Sequence, residues 1–64
     1  MSARTKKAAA RALLVARDLT GIASWARDTR GALRTLFSLT YEADALLRWR
    51  AIEATGPAAS AIAE

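Results

Sequence analysis

Ile22-Ala23-Ser24-Trp25-Ala26-Arg27-Asp28-Thr29-Arg30-Gly31-Ala32-Leu33-Arg34-Thr35-Leu36-Phe37 separates apolar residues from arginines at helical spacing. Ile22, Trp25, Thr29, Leu33, Leu36 and Phe37 recur at the i, i+3, i+7, i+11, i+14 spacing of one helical face, and Arg27, Arg30 and Arg34 repeat at i, i+3, i+7 on the opposite one. An amphipathic helix of this kind buries its apolar side against other helices. Thr20 or Ser24 can cap its start, and Asp28 suits the positive end of the dipole. Gly31 weakens the segment by up to about 1 kcal/mol relative to Ala and marks a close contact or a bend.

On the amino side, residues 3–19 are rich in Ala, Leu and Arg, a composition of high helix propensity, and Thr20-Gly21 supplies a stop. Ala9, Ala12, Leu13 and Ala16 share one face of this helix, while Leu14 and Val15 fall on others, so it needs neighbours on several sides. On the carboxyl side, Tyr41, Ala45, Trp49 and Ile52 define a new apolar face. Either the chain breaks at Ser38-Leu39-Thr40, with Thr40 as cap and Glu42 and Asp44 in the first turn, or one helix runs unbroken over residues 24–55. Gly56-Pro57 is expected to end it, leaving 57–64 as a short tail. Period-two alternation is missing, as are hairpin dipeptides and internal repeats. The expectation is an all-α protein, a helical hairpin or three-helix bundle: one domain over 1–56, with helices near 3–19, 22–38 and 40–55.

Sixty-four residues leave a thin margin for stability, because a chain this short buries only about 60% of the surface its unfolded form exposes. With no Cys and no His, disulfides and the usual zinc sites are excluded, which leaves self-association as the remaining support. Half of the hydrophobic residues are Ala, so the core depends on larger side chains. These outnumber what a short helix pair can cover. A homo-oligomer is therefore expected, with Leu13, Trp25, Leu33, Leu36, Phe37, Trp49 and Ile52 at its interface. The two tryptophans could instead stack on bases or anchor at a membrane surface.

Function is expected to be binding rather than catalysis. The common general base and thiol nucleophile are absent, Glu42 and Asp44 point to different sides of a helix, and Gly21, Gly31 and Gly56 are too isolated for a phosphate loop. No cofactor, metal or small-molecule substrate is implied. The longest apolar run, Ala12 to Ala16, is far short of the roughly 20 residues of a membrane span. No secretory signal is evident at the basic amino end, so the cytoplasm, or a virion assembled there, is the expected location.

Charge is unevenly placed. Residues 1–34 hold eight basic residues against the acidic Asp18 and Asp28, a net +6, whereas residues 35–64 carry a net −2. Arg4, Lys7 and Arg11 repeat at the same spacing as Arg27, Arg30 and Arg34, and Arg4, Lys6 and Lys7 sit where the helix dipole disfavours cations. Arg4, Lys6, Lys7, Arg11, Arg27, Arg30 and Arg34 are the candidate contacts to nucleic-acid phosphates, in a packaging, coating or architectural role. A solvated basic face on a protein-interaction adaptor, or a cationic membrane-active helix, are the alternatives.

Within Ile22–Phe37, the positions Ile22, Ala23, Ala26, Thr29, Gly31, Leu33 and Phe37 resemble the helix-turn-helix of tetracycline-repressor-type regulators. Arg27 and Asp28 stand where that family has a Gly and an apolar residue in the turn, and the link from the first helix is shorter. The resemblance implies that Thr29, Arg30 and Arg34 begin a groove-facing helix.

Overall fold

A computed structural model describes residues 3–63 and is all-helical there; Met1, Ser2 and Glu64 lie outside the described residues. Four helices pack as a bundle, α1 (Ala3–Val15), α2 (Leu19–Asp28), α3 (Ala32–Leu39) and α4 (Ala45–Ala63), rather than two or three.

The first helix stops before Thr20-Gly21. Arg17 takes a positive φ of 53°, and the amides of Arg17 and Asp18 return to the carbonyls of Leu14 and Leu13, each at 3.0 Å. This is the double hydrogen-bonded closure in which Gly usually holds the left-handed position. Asp18 then caps α2, its Oδ1 accepting from the Gly21 amide at 2.8 Å. Gly21 lies inside α2, where a Cβ would crowd the Asp18 carboxylate and stand 2.9 Å from Leu13 Cδ2, so a side chain there would displace the cap.

The amphipathic segment expected at 22–38 is two helices. They part at Thr29-Arg30-Gly31, where Thr29 is extended and Gly31 adopts φ 74°, a conformation that costs a residue with a Cβ about 1–2 kcal/mol. The apolar face survives the break, since Ile22 and Ala26 in α2 and Ala32, Leu36 and Leu39 in α3 are all buried.

Thr40 closes α3 instead of opening the last helix. Its amide and hydroxyl both donate to the Phe37 carbonyl, at 3.1 and 2.6 Å. Asp44 opens α4, its Oδ1 accepting from the amides of Leu46 and Leu47 at 2.9 and 3.2 Å.

Gly56-Pro57 does not end α4, which continues to Ala63 with Pro57 inside it. Proline removes one helical hydrogen bond, but the register of a small-residue stripe is retained across it. Leu47, Ala51, Ala54, Ala58 and Ala61 form the buried side of α4. This helix packs most extensively on α2 and then on α3. Alanine lets helix axes approach closely, so the stripe faces inward, and the larger residues expected at an oligomer interface, Trp49 and Ile52, face out.

The core is consequently thin. Leu14, Ile22, Leu36, Leu39 and Leu47 are its only large buried side chains among the described residues, with Leu13, Leu19, Trp25 and Leu33 half-buried around them. The bundle measures 31 × 23 × 17 Å. No helix among the described residues is long and apolar enough to cross a membrane.

Candidate nucleic-acid interface

The cations of α1 and of the α2–α3 turn meet at one end of the bundle. Lys6 Nζ donates to the main-chain carbonyl of Arg30 at 2.8 Å, which fixes the amino-terminal half of α1 against the turn. Because the acceptor is main chain, the Arg30 side chain is not consumed by this contact. Arg30 and Arg34 are exposed, as is Arg4 at the start of α1.

Arg27, Arg30 and Arg34 do not form the single helical stripe that their spacing implies. Arg27 lies in the last turn of α2, Arg30 in the connection and Arg34 in α3. The turn nevertheless gathers them around one open depression, which Asp28, Leu33 and Ile62 also line. Gly31 precedes α3 without a side-chain cap, and the Ala32 amide returns to the Thr29 carbonyl at 3.3 Å.

The α1 row is only partly available. Arg11 Nη2 donates to Glu42 Oε1 at 2.5 Å, and Lys7 Nζ lies 3.9 Å from the same oxygen. One carboxylate thus offsets part of two cations and ties α1 to the α3–α4 connection. Arg48 supports that connection by donating to the Glu42 carbonyl at 3.2 Å.

The exposed side of α3 continues from the turn: Arg34, Phe37 and Ser38 are exposed, while Leu36 and Leu39 on the other side of the helix are buried. Phe37, placed at an oligomer interface by the sequence pattern, is half-exposed on the helix that also displays Arg34. Leu36 is fully buried in the chain's own core and is unavailable to a partner. Leu13, Trp25 and Leu33 pack half-buried against that core, whereas Trp49 and Ile52 are exposed.

Three charged residues outside the expected site organise the opposite end of α1. Arg17 Nε and Nη2 each donate to a Glu53 carboxylate oxygen at 3.0 Å, and this bidentate bond holds the Glu53 carboxyl below its usual range. Arg50 Nη1 donates to the carbonyls of Leu14 and Val15 at 3.2 and 2.7 Å, satisfying the exposed end of α1. Sequence spacing carries no signal for these pairs, which join residues 35 or 36 positions apart.

No protein-family model matches this chain, and neither a curated protein nor a solved structure matches it.

Proposed function

We propose that the chain binds nucleic acid through the end of the bundle where α1 meets the α2–α3 turn, mainly by neutralising backbone phosphates. The observation that carries this is the Lys6–Arg30 contact, which joins two separately basic segments while leaving the Arg30 guanidinium exposed. Arg4, Arg30 and Arg34 supply the contacts, with Lys7 and Arg11 contributing what Glu42 leaves unbalanced. Helices α2 and α3, joined by three residues that include a Gly, have the layout of a helix-turn-helix. Docked in that manner, α3 would turn Arg34, Phe37 and Ser38 toward a duplex groove, and the α1 cations would lie on the flanking backbone.

The test is a salt titration of duplex binding. In Arg30→Gln/Arg34→Gln the main-chain acceptor for Lys6 is kept and two phosphate contacts are removed, so the slope of log affinity against log salt should flatten by about 2. Comparing random with defined duplexes separates backbone binding from groove reading. Absence of salt-dependent binding by the wild-type chain at low ionic strength sinks the proposal.

A further inference from the structure

The open depression at the α2–α3 turn is lined by two chemistries, and phosphate neutralisation uses only one of them. Arg27, Arg30 and Arg34 bring cations to it, while Leu33 of α3 and Ala61 and Ile62 of α4 give it an apolar wall. That wall exists because α4 continues past Gly56-Pro57 to Ala63. Ala61 is buried against the bundle, and Ile62, 47% exposed, borders the open space. The volume is about 890 Å³, inside the range of roughly 300–1,000 Å³ that small-molecule sites occupy.

Charge in this space is unbalanced. Asp28 is the acid among the lining residues, so three guanidiniums meet one carboxylate. Among the described residues the guanidiniums of Arg30 and Arg34 have no hydrogen-bonding or ion-pair partner, whereas those of Arg11 and Arg17 are held by Glu42 and Glu53.

We propose that the depression binds a small amphiphilic anion, a carboxylate or phosphate monoester on a short apolar body. Inorganic phosphate would meet the arginines and leave Leu33 and Ile62 in water. A neutral hydrocarbon would cover those side chains but strip water from two guanidiniums without returning a partner, which opposes the apolar gain. A duplex presents phosphates outward and keeps its base faces stacked inside, so it too leaves the apolar wall unused. A molecule with both parts satisfies both: the guanidinium fork takes two anionic oxygens, and the body covers Leu33 and Ile62. The inference does not rest on the nucleic-acid reading. Where both hold, the ligand competes with backbone phosphates for Arg30 and Arg34.

Calorimetric titration of the full chain, without nucleic acid, tests it. The probes are octyl phosphate and octanoate below their micelle concentrations, with inorganic phosphate and 1-octanol as the separate parts. One or both amphiphiles should bind one per chain and roughly tenfold tighter than either part alone, and the tighter of the two identifies the head group. Arg30→Gln/Arg34→Gln should weaken that binding about tenfold and Ile62→Ser about fivefold, each with an unaltered far-UV spectrum. Trp49→Ser, near the other end of α4, should leave it in place. Should either pocket variant lose its helical spectrum, the other decides by the same criterion. No binding of either amphiphile at millimolar concentration overturns the proposal, as does binding that inorganic phosphate or 1-octanol matches. Loss in Trp49→Ser rather than in Ile62→Ser would put the amphiphile on the exposed face of α4 and overturn it equally.

Discussion

Leu36 and Phe37 are adjacent, both large and apolar, and their truncation should have sharply different consequences. Leu36 is 0% exposed and Phe37 is 50% exposed. Leu36→Ala removes one of the four large side chains that are completely enclosed among the described residues, and such deletions cost about 2–5 kcal/mol including the cavity left behind. At about 0.05–0.15 kcal/mol per residue, a 64-residue chain has roughly 3–10 kcal/mol of stability in total. Leu36→Ala should therefore remove about half of that stability and lower the unfolding midpoint strongly. Phe37→Ala forfeits only the covered half of a ring, about 1 kcal/mol. Urea titrations followed by far-UV circular dichroism would compare the midpoints of both variants with wild type. Successive residues on a helix point about 100° apart. If Phe37→Ala proves the more damaging, α3 is rotated in its seat and the division of its faces into core and exposed side is wrong.

Two glycines should respond oppositely to the same substitution. Gly56 is helical with open space where a Cβ would stand, so Gly56→Ala should stabilise by about 0.5–1 kcal/mol, raising the melting temperature by several degrees. Gly31 has equal space but a φ of 74°, so Gly31→Ala should destabilise by about 1–2 kcal/mol; melting temperatures that move the same way would contradict the assigned turn. Acid sensitivity follows from Glu53, whose folded-state pKa is lowered chiefly by the hydrogen bond from Arg17. A depressed carboxyl contributes stability above its unfolded value of about 4.3, and that contribution disappears as pH falls through the folded value. Melting curves of wild type and Glu53→Gln should differ at pH 7 and converge in acid, and a gap independent of pH would remove the pair from the account.

The helical class was legible because hydrophobic period is a local signal, but chain breaks were not equally so. At Gly31 the sequence offers a bend and the backbone makes a full turn, because a positive φ is accessible there without a Cβ penalty. At Arg17 no residue type announces the same left-handed geometry, and the pattern carries the first helix on to residue 19. The local cost of an arginine in that conformation is accepted where α1 closes on itself and the side chain bonds to Glu53. Gly56-Pro57 is the converse case. Its local chemistry reads as a stop, yet Ala58 and Ala61 are buried and prolong the small-residue stripe of α4. At Arg17 and at Pro57 a tertiary contact outweighs a local preference of about 1–3 kcal/mol.

The apolar faces illustrate why an interface is harder to read than a core. Counting large side chains picks out the face of Trp49 and Ile52 and expects a partner on it, but does not reveal which face of the helix packs inside the chain; volume decides that. Four helices this short leave little room between their axes, and α4 meets that constraint with Ala51, Ala54, Ala58 and Ala61. A stripe of alanines is nearly silent in hydrophobic periodicity, since each contributes little transfer free energy, so the louder signal of Leu46, Trp49 and Ile52 marks the exposed side. The expectation of one continuous helix likewise puts the arginines of the basic row on a single stripe, which the break at Thr29-Arg30-Gly31 removes. Arg27, Arg30 and Arg34 do converge, but around a turn, where spacing along a helix axis no longer sets the distances between their charges. If the proposed binding holds, the register of a polyanion on this surface would be set by the turn at Gly31 and by the hold of Lys6 on Arg30. A change that alters that backbone, such as Gly31→Ala, should therefore weaken binding more than its loss of folding stability alone accounts for.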